Sequence, residues 1–354
     1  MFNLAILSWN CNGLDSHSAE LINYLALVPA KPSVICIQEL HQVESTFVIQ
    51  GYSMVCNRRL ERRGGGTAIF VRDDVQYRAI DSNLPYFELT QVEVRLINKS
   101  PIQICSLYPP PGLKIEETDL SELFIKQNTF ILGDFNAKNP LWGSPCCDYR
   151  GKIIEKLLAD YNFICLNTGE GTRINISNGS LSHLDLALCG ANFGHLSSWS
   201  VLDDSFGSDH YPALITYSDN IMTEPYPEPS WNISKANWID FTNALNDMAT
   251  FSPLVVDPLD VLSIAILEVA NAFIPKKKTC QSTRMLPYWN TDCSSSINKR
   301  REAEKVMKKC RTIGNIFAFR KAKAFVQFTL RKAKFDFWHS YVSGLSVDSK
   351  LGSV

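Results

Sequence analysis

Short apolar segments, most of them ending at a polar residue, recur along the first two-thirds of the chain. They are rich in Ile, Val, Thr and aromatic residues, and several alternate apolar with polar residues, as QVEVRL does at 91–96. Helical periods at 18–27 and 151–161 lie between them. The predicted strands are residues 4–9, 34–38, 67–71, 89–96, 102–107, 129–132, 184–188 and 213–217. This order of elements predicts an α/β domain.

The composition is typical of a globular protein with a substantial core. Of the 354 residues, 45% are hydrophobic and 20% are charged, and this length allows one large or two smaller domains. No stretch approaches the roughly 20 apolar residues of a membrane span, and the N-terminus has the pattern of a strand, without that of a signal peptide. The 11 cysteines are odd in number and lack CxxC spacing, which fits a reducing compartment. We therefore expect an intracellular protein with no membrane partner.

The chain carries its charge unevenly. Residues 276–340 contain 17 Lys and Arg against 4 Asp and Glu, whereas residues 1–275 contain 17 against 31. A basic segment after an acidic body indicates a nucleic-acid partner, and a solvated helix face explains the charge equally well.

The region after the strands predicts a change of organisation. The stretch SDNIMTEPYPEPSWN at 218–232 has the composition of a linker. Residues 235–274 and 296–341 show helical periods, the second with a predicted break near Gly314 and Asn315. The sequence thus predicts a domain at 1–219, a proline-rich linker at 220–234 and a mainly helical basic extension at 235–354.

Polar side chains stand where the predicted strands begin or end. Glu39 ends VICIQE, and Asp134 and Asn136 end FILGDFN. Side chains from distant parts of a chain assemble into one site in this way on an α/β scaffold. The other members of the set are Asn10, Asn12, Tyr108, Asp185, Asp209 and His210.

The acidic members of this set fit a divalent cation. Hard cations such as Mg²⁺, with Mn²⁺ as the alternative, take oxygen ligands, which Glu39 offers together with Asn10, Asp134 or Asp209. A cation beside a phosphodiester polarises the phosphoryl oxygen and stabilises the leaving oxygen. The residue types therefore indicate phosphodiester hydrolysis.

The remaining members fit the same chemistry. A carboxylate such as Asp185 holds His210 in this interpretation, while Asn136 and Tyr108 donate to phosphate oxygens in the transition state. Each residue alone also has a structural explanation, since Asp or Asn after a strand commonly starts a turn or caps a helix. The ordered set favours the catalytic interpretation.

At these residues the chain resembles the endonuclease/exonuclease/phosphatase superfamily. The motifs are, in order, SWNCNGL, ICIQE, GGGTAIFVR, SLYPPP, ILGDFNAKNPLWGS, SHLDLAL and GSDHYP. A single motif such as GDFN is weak, but seven in this order are specific. The resemblance implies a four-layer α/β sandwich, in which two packed mixed β-sheets are flanked by helices.

The resemblance also implies roles for the site residues. Asp185 orients His210 in such a site, and Asp134 with Asn136 positions the attacking water and the scissile phosphate. The implied catalytic set is Tyr108, Asp134, Asn136, Asp185, Asp209 and His210. The implied metal ligands are Asn10, Glu39 and Asp209. The residues assigned to DNA contact are Asn12, Thr172, Arg58, Arg62 and Arg63, and a solvated turn explains the three arginines equally well.

Within the superfamily, the chain resembles the apurinic-like endonucleases of LINE-type non-LTR retrotransposons, the jockey-like group especially. Asn12 stands where repair apurinic endonucleases carry Asp, and the extension resembles the stretch that leads into a reverse transcriptase, as in RKAKFDFWHSYVSGL. The resemblance implies a Mg²⁺- or Mn²⁺-dependent endonuclease that nicks double-stranded DNA in the nucleus. The 3′-hydroxyl it leaves would prime reverse transcription. RNA or a reverse-transcriptase domain is the partner implied for the basic helices.

Two features depart from that pattern. No YxDD-like motif precedes Val354, so we expect a fragment, a truncated copy or a domesticated remnant of a longer protein. His183 stands where many relatives carry Arg. Two alternatives are open from the sequence: a repair apurinic endonuclease or other phosphatase of the same fold, and a catalytically inert nucleic-acid-binding remnant.

Overall fold

The computed structural model describes residues 3–41, 47–57, 65–81, 87–97, 99–223, 231–249, 258–276 and 284–345. A first six-stranded sheet has the order β13-β14-β1-β2-β4-β3. Its strands are β1 (Asn3–Asn10), β2 (Val34–Gln38), β3 (Tyr52–Asn57), β4 (Thr67–Arg72), β13 (Ser197–Val201) and β14 (Ala213–Asn220). β1 and β2 are parallel, and the other neighbouring pairs are antiparallel.

A second six-stranded sheet has the order β5-β6-β7-β8-β12-β9. In it β7 and β8 are parallel and the remaining pairs antiparallel. Its strands are β5 (Tyr77–Ile80), β6 (Glu88–Leu96), β7 (Lys99–Tyr108), β8 (Thr129–Asp134), β9 (Phe163–Cys165) and β12 (Asp185–Gly190). A separate two-stranded ribbon pairs β10 (Arg173–Ile174) with β11 (Leu181–Ser182).

The two sheets pack face to face because successive side chains of each strand point to opposite sides. Ile6 of β1 joins Ile104 and Phe130 of the second sheet in the central core, whereas Leu7 and Trp9 face outward. The helix α1 (Leu14–Leu27) covers the outer face of the first sheet, and α2 (Glu117–Phe124) with α3 (Tyr149–Asp160) covers that of the second. The predicted four-layer sandwich is confirmed.

The predicted strands are all present, but the sequence missed the strands at the sheet edges. The edge strands are β13 and β3 in the first sheet, and β5 and β9 in the second. An edge strand is only partly buried, so its sequence need not alternate cleanly; β13, for example, reads SSWSV. The short ribbon β10–β11 was missed for the same reason.

The chain divides into two compact units. One unit contains Met1–Thr223 together with Ser282–Val354, and the other contains Glu224–Gln281. The second unit holds α4 (Trp238–Ala249) and α5 (Pro258–Phe273). The predicted extension at 235–354 therefore has residues in both units, and the boundaries at 219 and 234 stay predictions.

The basic C-terminal region of the first unit forms two helices, α6 (Thr291–Lys309) and α7 (Ile313–Ser343). The break predicted near Gly314 and Asn315 is confirmed and lies at residues 310–312. The side chain of Thr312 accepts a hydrogen bond from the Asn315 amide at 3.2 Å, so it caps α7 and places both residues in the first turn. Among the described residues, no helix combines the length and apolar character that a bilayer-spanning segment needs.

Gly133 is a position where the sheet geometry tolerates no side chain. Its φ is +148°, and a Cβ built there would lie 1.9 Å from the carbonyl oxygen of Leu107 on the paired strand. We expect Gly133→Ala to lower the free energy of unfolding by about 3 kcal/mol, because the change forces β7 and β8 apart. Urea denaturation of the purified chain measures this loss.

Gly51→Ala is the matched control for that variant. Gly51 also has a positive φ, +86°, but nothing lies within 4 Å of a Cβ built on it. Gly51→Ala therefore measures only the free-energy cost of placing alanine at a positive φ, without a steric clash. Equal losses in the two variants would show that the close approach of Leu107 contributes nothing.

Candidate active site

Parallel strand pairs bring the predicted site residues to one edge of the sandwich. Asn10 is the last residue of β1, Glu39 follows β2, and Asp134 is the last residue of β8. On the neighbouring antiparallel strand, Asp185 is the register partner of Asp134. A buried hydrogen bond between the sheets, from Gln38 Nε2 to Ser106 Oγ at 2.9 Å, joins β2 to β7 near this edge.

His210 lies between two carboxylates at this edge. Its Nδ1 is 2.8 Å from Asp185 Oδ2 and 3.0 Å from Asp185 Oδ1, so the ring donates to that carboxylate. Its Nε2 lies 3.7 Å from Asp134 Oδ2, which is beyond hydrogen-bonding distance. His210 is 3% exposed. The ring is thus oriented by Asp185, and its second nitrogen is left for another acceptor.

The charges around His210 favour its protonated form. Burial lowers the pKa of His210, but the carboxylates of Asp185, Asp134 and Asp209 raise it more strongly, to about 9. Burial raises the pKa of Asp134, and the neighbouring imidazolium opposes this rise. The protonated ring and the two carboxylates therefore stabilise one another.

Asn10 joins the carboxylates of both sheets. Its Nδ2 donates to Glu39 Oε1 and to Asp134 Oδ2, at 3.0 Å in each case. Its Oδ1 accepts from the backbone amide of Asn12 at 3.1 Å. Two carboxylate oxygens from different sheets thus converge on one electropositive group. Sequence reasoning missed His41, whose Nε2 lies 3.0 Å from the second oxygen of Glu39.

Asp209 lies at the same edge, and both of its oxygens are hydrogen-bonded. Oδ1 accepts from Asn12 Nδ2 at 2.9 Å, and Oδ2 accepts from Arg173 Nε at 3.0 Å. These donors and His210 hold the pKa of Asp209 below its ordinary value, although burial raises it. Sequence reasoning missed Arg173, because no local pattern distinguishes this arginine from a surface residue.

Tyr108 and Asn136 complete the group on the second sheet. Burial, followed by the charges of Glu39 and Asp134, raises the pKa of Tyr108, so its hydroxyl stays protonated and can donate. The backbone amide of Asn136 donates to Asp134 Oδ1 at 3.0 Å, and its Nδ2 lies 3.4 Å from the carbonyl of Pro109. Both residues flank Asp134.

Thr172, assigned to DNA contact, is placed behind the site by the structure. It is 0% exposed, and its hydroxyl accepts from the amides of Leu184 and Asp185 at 3.3 and 3.2 Å. Thr172 therefore holds the start of β12 and has no exposed surface for DNA, which corrects that assignment. Three further residues assigned to DNA contact, Arg58, Arg62 and Arg63, lie outside the described residues.

Several residues at this edge adopt left-handed backbone conformations that are uncommon outside glycine. Asn12, Glu39, His41 and Asn136 have φ between 46° and 56°. For Glu39 this is especially informative, because a glutamate gains nothing locally from such a conformation, unlike asparagine. Conformations of this kind concentrate where a site fixes the direction of a side chain.

The donor set fits a hard divalent cation. Glu39 Oε1 and Asp134 Oδ2 converge on the same Asn10 amide group, and carboxylate oxygens are the ligands such cations prefer. Asp134, Asp185 and His210 also present ligand atoms within 4.8 Å of one another, but Asp185 and His210 already bond to each other. Among the predicted ligands, the two oxygens of Asp209 are held by Asn12 and Arg173. The two oxygens of Glu39 lie within hydrogen-bonding distance of Asn10 and His41.

Comparison with known proteins agrees with the fold described above. The sequence model of the endonuclease–reverse transcriptase family matches residues 102–214. A probable RNA-directed DNA polymerase from transposon BS of Drosophila melanogaster is 26% identical over 263 residues, covering 70% of this chain and 28% of that protein. The RNA-directed DNA polymerase from mobile element jockey of the same organism is 28% identical, covering 63% of this chain and 24% of that protein. The chain thus spans about a quarter of the length of these relatives.

A solved structure shows the same fold. The endonuclease domain of TRAS1, a telomere-specific non-LTR retrotransposon, superposes with a TM-score of 0.52 at 23% identity, covering 61% of this chain and 98% of that domain. The predicted resemblance is therefore confirmed. The chain has the fold of this endonuclease domain, and its sequence is similar to the RNA-directed DNA polymerases of these mobile elements.

Proposed function

We propose that the chain is a divalent-metal-dependent DNA endonuclease that hydrolyses one phosphodiester of a target site and leaves a 3′-hydroxyl to prime reverse transcription. The proposal rests on the arrangement of four side chains at one edge of the sandwich. His210 lies between Asp185 and Asp134, and Glu39 lies beside them. General acid–base or electrostatic catalysis at phosphorus needs such an arrangement: a cationic donor, an acceptor for water and a place for a cation. The likeness to retrotransposon proteins supports DNA as the substrate.

The roles of the residues follow from their positions. His210, oriented by Asp185, directs its Nε2–H at a phosphate oxygen and neutralises the negative charge that builds there. Asp134, whose pKa is raised by burial, accepts the proton of the attacking water. Tyr108 and Asn136 donate to the remaining phosphate oxygens. These groups are fixed before the reaction, so little reorganisation is needed as charge develops.

Glu39 would hold the cation, with Asn10 beside it. Bound there, a divalent cation would polarise the phosphoryl group and stabilise the leaving oxygen. We propose Mg²⁺ as the resident ion, with Mn²⁺ as a substitute, because the donors are oxygens.

The remaining proposals concern partners and location. Double-stranded DNA is the proposed substrate, and the nucleus the proposed location, since the substrate is chromosomal. RNA or a reverse-transcriptase domain is the partner proposed for α7. Its side chains Phe325, Phe328, Phe335 and Trp338 are 51–66% exposed and interleave with Lys and Arg.

Nicking of supercoiled plasmid tests the proposed activity. With Mg²⁺ we expect conversion to the open circle, which DNA polymerase I can then extend from the 3′-hydroxyl. EDTA in excess should abolish nicking, and added Mg²⁺ should restore it, because the cation is required for the leaving oxygen. Mg²⁺-dependent nicking of abasic plasmid alone would instead indicate a repair enzyme, and no nicking of either would contradict the proposal.

A further inference from the structure

The segment at residues 204–211, which carries Asp209 and His210, is contacted at both ends by α6. We call these residues the histidine segment. Arg300 contacts its first residue, Asp204, and Glu304 contacts its last residue, Tyr211. Positions 300 and 304 are one helical turn apart and lie on the same face of α6. A single helix face therefore spans the segment.

The Arg300 contact is a buried ionic network. Its guanidinium is 1% exposed, with Nη1 2.5 Å from Glu20 Oε1 and Nη2 2.8 Å from Glu20 Oε2. Nη2 also lies 2.6 Å from Asp204 Oδ1. Arg300 thus joins α6 to α1 and to the histidine segment at one point. Removing it would leave the Glu20 carboxylate desolvated without a counter-charge, whereas Asp204 would keep its ion pair with Arg301 at 2.6 Å.

Asp204 connects Arg300 to the backbone of the histidine segment. The same Oδ1 that accepts from Arg300 also accepts from the amide of Phe206 at 3.2 Å. Gly207, with φ +85°, follows; a Cβ there would lie 3.1 Å from Glu20 Oε1 and 3.4 Å from Arg300 Nη1. The backbone therefore packs directly against the ion pair.

The far end of the segment is held in the same way. The hydroxyl of Tyr211, which is 2% exposed, hydrogen-bonds to the carboxylate of Glu304, and Lys308 lies 3.9 Å from the centre of the Tyr211 ring. On α7, Lys323 Nζ lies 3.4 Å from the carbonyl of Ser208. Each contact is made by the basic C-terminal helices, within the same compact unit.

We propose that α6 is an integral part of the nuclease, and that Arg300 and Glu304 are positioning residues that fix the histidine segment in its catalytic geometry. This inference rests on the proposed function. A buried ion pair adds little net stability compared with apolar packing, so its main effect here is on geometry. Small displacements of a catalytic group can reduce the rate greatly.

The test uses Arg300→Ala in the full chain, with plasmid nicking and hydrogen exchange as separate readouts. We expect kcat to fall at least about tenfold while the KM for plasmid changes little, because the reacting groups are displaced and the DNA contacts are not. Millimolar guanidinium should restore part of kcat, since it fills the space between Glu20 and Asp204. Arg95→Ala, an exposed position on β6, is the control and should match wild type.

Hydrogen exchange tests the inference without a measurement of plasmid nicking. The amides of Phe206, His210 and Tyr211 donate to Asp204, Ser208 and Thr172 at 3.2, 3.1 and 2.7 Å. In Arg300→Ala we expect faster exchange at these amides, with β1 and β8 unchanged. If wild type does not nick plasmid, the proposed function fails while this readout still decides the positioning role.

A conservative variant covers the case in which Arg300→Ala fails to fold. Lysine keeps the positive charge but cannot donate to Glu20 and Asp204 together as the planar guanidinium does. Arg300→Lys should therefore fold and show an intermediate loss of kcat with faster exchange in the histidine segment. Wild-type kcat and wild-type exchange in either folded variant would overturn the inference.

Discussion

Replacing His210 with alanine is expected to lower kcat for plasmid nicking by about 10²–10⁴-fold, the usual range for a positioned acid or base. The ring is held by Asp185, and no other described cation lies between these two carboxylates to neutralise the phosphate oxygens. The KM for DNA should change little, because the interaction strengthens only in the transition state. Initial rates at saturating plasmid measure the effect.

His195→Ala provides the comparison for that experiment. His195 is exposed on the short 3-10 helix Ala191–Leu196, which follows the end of β12 opposite to the end that carries Asp185. Its variant should retain wild-type kcat. A His210→Ala protein that nicks as fast as the His195→Ala protein would remove His210 from the mechanism.

Replacing Glu39 with glutamine should raise the Mg²⁺ concentration needed for half-maximal nicking by at least about 100-fold, the upper value for loss of an outer-shell partner. Glutamine keeps the size of the side chain but removes the charge that attracts the cation. The left-handed backbone at Glu39 directs this side chain toward Asn10 and Asp134. The substitution therefore removes negative charge at the point where the two carboxylate oxygens converge. Rates across a Mg²⁺ titration measure the shift.

Glu122→Gln controls for loss of negative charge in general. Glu122 is exposed on α2, so its variant should titrate with Mg²⁺ as wild type does. Saturation by excess Mg²⁺ should recover much of the rate in Glu39→Gln but none in His210→Ala. Identical Mg²⁺ titrations for Glu39→Gln and wild type would assign the cation to other ligands.

Sequence reasoning succeeded where residues sit at strand ends. The end of a buried strand is visible as a polar residue after an apolar run, and parallel pairing then brings such ends to one edge. Asn10, Glu39 and Asp134 were selected in this way, and Asp185 was selected as the residue that begins a strand. The structure places the four together. Their individual roles in catalysis stay predictions.

Sequence reasoning failed where a partner is distant in the chain. Arg173 pairs with Asp209 and Arg300 with Glu20, yet each looks like an ordinary surface arginine beside its neighbours in sequence. Thr172 was assigned to DNA contact, whereas its buried hydroxyl holds the start of β12. Burial and long-range pairing are set by the tertiary fold, and no local periodicity encodes them.

The face of α6 that holds Arg300 and Glu304 affects where a shortened version of this protein should end. A recombinant protein trimmed at the proline-rich stretch would retain every motif residue but leave Glu20 and Asp204 at a bare surface with no cation opposite. Such a protein could fold well and still underestimate the native turnover. Boundaries for biochemical work should therefore follow the three-dimensional unit, with α6 and α7 supplied on the same polypeptide or added back as a separate peptide.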